Sequence, residues 1–158
     1  MASKSKSREH GAVWERYVVM ECGELEKRGH AMVSKNWEAP PIPGTKKPRA
    51  KSKPDFSGCL RGGRHVVFEA KSTEEPERFD LKNLAKHQRE HLLDAAFLGS
   101  VAFVYVVSRA NLEDRKYIIP VAVIESTEAK SVRFDAVGVI EKLERETWYD
   151  ALMRGGLA

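Results

Sequence analysis

Apolar and polar positions alternate along the chain with two different periods. Residues 9–28 place Val13, Trp14, Tyr17, Val18, Glu21 and Leu25 near helical spacing, and Gly29 follows as a C-terminal stop, so a first helix is expected there. Residues 30–37 read as a strand. From Glu38 to Pro54, prolines at 40, 41, 43, 48 and 54 forbid a regular element, and this stretch is expected to project from the body. Residues 55–60 and 64–71 are two short strand patterns around Arg61–Gly62–Gly63, a glycine turn suited to a β-hairpin. Asp80 is placed to cap a helix running to Leu98, which Gly99 ends. Residues 101–107 and 117–124 are continuous apolar runs of the buried-strand kind, and Val137 to Met153 reads as a closing helix. The order helix, strand, hairpin, helix, strand, strand predicts an α/β domain with a mixed central sheet.

Composition narrows this to one domain. With 158 residues, 42% of them hydrophobic, the chain holds one real core, read as residues 11–158 behind a basic flexible tail over 1–10, with 38–54 as an insertion. The longest apolar stretch, Val101 to Val107, falls far short of the roughly 20 residues that span a bilayer, and no apolar signal region opens the chain. A membrane or secreted protein is therefore not expected. Cys22 and Cys59 stand in no metal-ligand or redox spacing, which fits a reducing cytoplasm.

The formal charge of +4 conceals a local excess. Lys46, Lys47, Arg49, Lys51 and Lys53 lie between Gly44 and Pro54 with no acidic residue among them, and Lys4, Lys6 and Arg8 precede the first acid, Glu9. The remainder of the chain is net negative. Such a run is either a solvated lysine stretch or a phosphate-contacting one, because clustered cations release counterions from a polyanion.

Candidate chemistry sits on the hairpin. Along 64–71, Val67, Glu69 and Lys71 share one face while Val66, Phe68 and Ala70 share the other. A carboxylate and an ammonium on a half-buried face need partners or a task. A two-residue loop at Gly62–Gly63 would set Asp55 opposite Ala70, on the wrong face. A three-residue loop of Arg61, Gly62 and Gly63 pairs Leu60 with Arg64 and sets Asp55 across from Glu69, with Cβ atoms roughly 5 Å apart. Two carboxylates that close repel unless a cation lies between them, and hard oxygen ligands suit Mg²⁺ or Mn²⁺, which also accept waters and phosphate oxygens. Lys71 is then placed to act on the attacking water or on charge developing at the phosphate, the chemistry of phosphodiester hydrolysis. Taken alone, the same residues read equally as a surface ion pair on a hairpin.

Two helical residues extend the set. Gln88 falls in register with Leu81, Leu84, Leu92 and Ala95, where it is either a core amide satisfied by backbone or a group delivered to the active-site edge. Glu15 lies beside the apolar stripe of the first helix, as an outer metal ligand or a solvated carboxylate. His87 and His91 share a helix face, but the glutamate of the zinc-protease signature is missing, since Gln88 stands there. No phosphate-cradling glycine loop occurs, so no nucleotide cofactor is expected, and no Gly-x-Ser-x-Gly elbow supports acyl transfer.

Pro54–Asp55–Phe56, Phe68–Glu69–Ala70–Lys71–Ser72–Thr73, and Leu81–Lys82–Asn83–Leu84 running into His87–Gln88–Arg89–Glu90–His91–Leu92 resemble the RecU-type Holliday-junction resolvases of the PD-(D/E)xK nuclease superfamily. The resemblance runs from about Gly11 to Ile124. It implies a restriction-endonuclease-like version of the α/β fold, with catalytic Mg²⁺ (Mn²⁺ substituting) held by Asp55, Glu69 and the main-chain carbonyl of Ala70. Lys71 would assist the water, and Glu15 and Gln88 match the family's first-helix glutamate and helix glutamine. The family is a homodimer that makes paired nicks in a four-way junction and carries a basic stalk before the catalytic aspartate. Lys46, Lys47, Arg49, Lys51 and Lys53 fall in that place, in a shorter stalk than usual, and Arg61 and Arg64 at the hairpin turn are the other expected DNA contacts. Two alternatives keep part of this reading: a nuclease of the same superfamily acting on other DNA, or a DNA-binding module without catalysis, against which the intact carboxylate pair argues.

Overall fold

A computed structural model describes residues 3–36, 53–110 and 113–158, with side chains from Glu9 onward. The expected projecting segment, with Lys46, Lys47, Arg49 and Lys51, lies outside the described residues apart from Lys53, which is exposed. Helix α1 (Ser3–Lys27) leads into β1 (Ala31–Lys35), and β2 (Phe56–Leu60) and β3 (His65–Thr73) form the hairpin. Next come β4 (Arg78–Asp80), a 3₁₀ turn (Leu81–Asn83) and α2 (Lys86–Phe97). The chain closes with β5 (Val101–Ser108), β6 (Arg115–Pro120), α3 (Val121–Ser126), β7 (Ser131–Arg133), β8 (Ile140–Lys142) and α4 (Trp148–Arg154).

Six strands form one sheet in the order β1-β2-β3-β5-β6-β8, in which the β3–β5 pair is parallel and the other neighbours are antiparallel. This is the mixed sheet the element order predicts. β5 is buried at every position, as its unbroken apolar run requires of a strand covered on both faces. One face carries Phe56, Phe68 and Phe103 in a stacked ladder with centroids 5.0 and 4.7 Å apart, capped by Trp14, Val18 and Leu25 of α1 and Trp148 of α4. The opposite face packs Val67, Val104 and Ile119 against Leu92 of α2, Ile124 of α3 and the small β4–β7 sheet. Glu21, part of the helical stripe read from the sequence, is buried and satisfied: it accepts from the Tyr105 hydroxyl at 3.0 Å and the Trp148 amide at 2.8 Å, tying α1 to β5 and α4. Val13 and Tyr17 of that stripe are instead exposed.

Gly58 is demanded by a close approach. A Cβ there would lie 2.1 Å from the Met32 carbonyl oxygen and 2.6 Å from Val33 Cα on β1. Gly58→Ala is therefore expected to cost about 2–3 kcal/mol, as overpacking against backbone does, read from urea unfolding midpoints.

Several expectations are corrected. The tail expected over 1–10 is, from Ser3 on, the opening of α1, where no proline interrupts a run of helix-tolerant residues. Asp80 does not cap one long helix: it ends β4, pairs with Ser131 of β7, and forms ion pairs with Arg78 and Lys82, while α2 starts only after Ala85. The apolar run 117–124 is a strand only to Pro120, after which Val121–Ser126 is helical, since an apolar run buried on all sides does not reveal its period. The closing helix is confined to Trp148–Arg154, because residues 140–142 pair with the free edge of β6. No helix among the described residues is long and apolar enough to cross a membrane.

Candidate active site

The hairpin register brings the chemistry together. Phe56 pairs with Phe68, Ser57 with Val67, Gly58 with Val66 and Cys59 with His65, and the Leu60 amide donates to the Arg64 carbonyl at 2.8 Å. The loop is thus Arg61, Gly62 and Gly63, with Gly62 and Gly63 at φ of 95° and 91°, a left-handed backbone that favours glycine. Continued one step, this register sets Asp55 opposite Glu69, as the three-residue loop predicts.

Asp55 is held rigidly. Its Oδ2 accepts from the Ala70 amide at 3.0 Å, its amide-linked carbonyl accepts from the Asn36 amide at 2.8 Å, and the Asn36 side chain donates to the Pro54 carbonyl at 2.8 Å and to the Ser57 hydroxyl at 2.9 Å. Asn36 is a positioning residue that sequence reasoning missed; its only signal is an asparagine at the end of a strand next to a proline-rich excursion.

Glu69 is fully buried, whereas Asp55 and Lys71 are 24% and 20% exposed, so the site opens to solvent on the Asp55–Lys71 side. Lys71 Nζ lies 2.9 Å from Glu69 Oε2 and 3.9 Å from Asp55 Oδ2, bridging the two carboxylates. Gln88 Nε2 donates to the same Glu69 oxygen at 2.6 Å, while Gln88 Oε1 accepts from the Ala85 amide at 3.1 Å. One amide therefore satisfies an orphan donor at the start of α2 and fixes that helix against the site. Burial pushes the Glu69 carboxyl up to about 8, with the Asp55 charge adding to the rise and the Lys71 ammonium opposing it.

A metal ion fits this set. Glu69 Oε1 is buried with no hydrogen-bond partner, so the site holds an unsatisfied acceptor beside a second carboxylate. Among the described residues no three His, Cys, Asp or Glu side chains converge. The two side-chain oxygens ligands would leave most positions to water and substrate, which is how Mg²⁺ is commonly held.

Of the other expected residues, Glu15 is not in this cluster: its carboxylate pairs with Lys35, the last residue of β1, which registers with Phe56 next to Asp55. Arg64 is exposed at the hairpin turn. It lies five residues from Glu69, about 16 Å along the strand, and its guanidinium donates to the Gly99 carbonyl at 3.3 Å and the Leu157 carbonyl at 3.0 Å, fastening the chain end to the sheet. Arg61 is exposed at the same remote turn.

An antiparallel hairpin abutting a buried parallel strand thus gathers a carboxylate pair and a bridging lysine on a mixed α/β sheet. The chain belongs to the Recombination protein U (RecU) family, whose model matches residues 30–142. It is 40% identical over 52 residues to the Holliday junction resolvase RecU of Bacillus pumilus, covering 33% of this chain and 25% of that protein. It is 36% identical over 72 residues to the Holliday junction resolvase RecU of Lactococcus lactis, covering 46% of this chain and 32% of that protein. These matches thus span only a quarter to a third of the relatives' own length. Among solved structures, that of Archaeoglobus fulgidus Hjc, a Holliday junction resolvase from an archaeal hyperthermophile, superposes with a TM-score of 0.47 and 19% identity over 94% of this chain and 98% of its own.

Proposed function

We propose that this chain is a Mg²⁺-dependent endonuclease that resolves four-way DNA junctions, acting as a homodimer in which each protomer nicks one strand. The observation that carries the reading is Asp55 opposite Glu69 with Lys71 bridging them, on a chain of the RecU family. Mg²⁺ held by Asp55, Glu69 and the Ala70 carbonyl would supply Lewis-acid polarisation of the phosphate and a more acidic bound water.

The chain's own residues do the rest. Glu69 is kept in place by Gln88 and Lys71, and Asp55 by the Ala70 amide, so both carboxylates stand preorganised. The Lys71 ammonium, partly exposed between them, faces the space where the phosphodiester must sit; it orients the attacking water and offsets negative charge as the water oxygen bonds to phosphorus and the sugar oxygen departs. Lys53 and the preceding cations Lys46, Lys47, Arg49 and Lys51 act as the junction-binding arm.

The test is incubation of purified protein with a labelled synthetic four-way junction and with linear duplex, in Mg²⁺ and in EDTA. Cleavage of the junction in preference to duplex, abolished by EDTA, is expected; equal cleavage of both would indicate a nuclease of broader substrate range, and binding without cleavage a non-catalytic module. Lys71→Ala should slow single-turnover cleavage by about 10²–10³-fold, while the Mg²⁺ concentration for half-maximal rate stays within a few-fold, because the ammonium acts on water or phosphate and is no ligand. Full activity in that variant would reduce the Glu-x-Lys arrangement to an ion pair.

A further inference from the structure

The DNA contacts expected from the sequence lie in the proline-rich arm and at the hairpin turn, yet the described surface next to the active site carries its own cationic channel. A groove of about 560 Å³ runs between the β4–β7 sheet, the 3₁₀ turn and α2. Arg78, Lys82, Arg89 and Lys130 line it, and Asp80 is the one carboxylate in its lining. Asp80 is already engaged by Lys82 at 3.1 Å and Arg78 at 3.4 Å, and the groove keeps a net excess of three positive charges. Lys82 is 79% exposed, and the Leu81 amide donates to the Lys130 carbonyl at 2.9 Å, which holds Lys130 beside the turn that bears Lys82. Four like charges converging from four separate segments repel one another and are tolerated best when a polyanion screens them.

The channel reaches the strand that carries two of the active-site residues. A second groove of about 500 Å³ shares Asp80 and Lys82 with the first and extends to Ser72 and Thr73, the residues that follow Lys71 on β3. This second groove has no positive excess of its own: Asp80 pairs with Lys82 at 3.1 Å, Glu75 pairs with Arg78 at 3.8 Å, and Glu74 lies 4.0 Å from the His10 ring. Asn83 and Arg109 also line it; the Arg109 amide is fixed to the Thr73 carbonyl at 2.9 Å, and its Nε is buried with no partner. A strand that leaves Asp55, Glu69 and Lys71 past Thr73 would meet the donors of Asn83 and Arg109 first, and beyond them the groove whose lining holds four cations to one carboxylate.

We propose that the Lys82–Lys130 groove is a phosphate-backbone track that binds one duplex arm of the DNA substrate on the far side of the cut, separately from the proline-rich arm. Resting as it does on the nuclease reading above, the assignment predicts charge-based contacts without base readout. Lys82→Ala/Lys130→Ala is compared with Lys27→Ala/Arg145→Ala, which removes the same charge from exposed positions outside the lining of either groove. Binding of a four-way junction is titrated in EDTA at several salt concentrations, and cleavage by the wild type is followed in Mg²⁺ in parallel. The groove variant should bind on the order of tenfold more weakly near 0.1 M salt and lose about two units of log–log salt slope, roughly 0.9 per phosphate contact, with the control variant close to wild type. An unchanged slope in the groove variant, or an equal loss in both variants, overturns the track while wild-type cleavage leaves the nuclease reading standing. A wild type that neither binds nor cuts DNA overturns both.

Discussion

Asp55→Asn is expected to abolish junction cleavage, by about 10³-fold or more, while junction affinity changes by no more than a few-fold. The substitution removes one negative charge from the pair that Lys71 bridges, and a divalent cation then faces a single carboxylate, Glu69, whose burial already disfavours ionisation. The fold should be indifferent. The asparagine carbonyl oxygen retains the bond from the Ala70 amide, and the contacts of Asn36 to the backbone on either side of position 55 do not involve the replaced carboxylate. Cleavage and gel-shift titration on one junction check both halves. A variant that cuts at near the wild-type rate would remove Asp55 from the metal site.

Glu69→Gln should lose cleavage to a similar degree and yet stabilise the metal-free protein at neutral and alkaline pH. Burial holds the folded-state Glu69 carboxyl at about 8, well above the value of about 4.3 expected in the unfolded chain. The folded state therefore binds the proton more tightly. Its contribution to stability is complete below about pH 4, declines through the interval between the two values, and is lost once pH passes the folded value, where the buried anion must form. In EDTA the wild type should lose on the order of 3 kcal/mol of stability between pH 5 and pH 8 from this group, and the glutamine variant should not. The amide oxygen continues to accept from Gln88 and Lys71, and the new NH₂ takes the position of the unpartnered Oε1. Mg²⁺ should raise the wild-type Tm at pH 8 and leave the variant unmoved. Identical pH profiles for the two proteins would mean that Glu69 is ionised without penalty.

These two substitutions draw on a part of the site that local arithmetic makes accessible. The hairpin register depends on loop length and strand alternation, both of which are written within seventeen consecutive residues, 55–71, so Asp55 could be set opposite Glu69 from the chain alone. The same holds for the unbroken apolar run of β5, which is buried throughout, and for Gly99, whose φ of 91° ends the turn after α2. Gln88 occupied an apolar register position where an amide must find a partner, and it does.

What tertiary structure alone decided involves partners distant in sequence. Residues 78–80 become a strand because residues 131–133 lie beside them, and that pairing overrides the capping preference of Asp80. Ile140–Lys142 leave the expected helix for the open edge of β6. Glu15 finds Lys35 across 20 residues, and Arg64 finds the Leu157 carbonyl across 93, partners that no local pattern announces. The basic channel is the largest case. Its four cations are each unremarkable in their own neighbourhoods, and only the packing of β4, the 3₁₀ turn, α2 and the segment before β7 sums their fields in one groove. Periodicity reports which face of an element is apolar; it carries no term for which surfaces meet, and electrostatic sums depend on distance in space, so charge patterns assembled from separate segments emerge only with the fold.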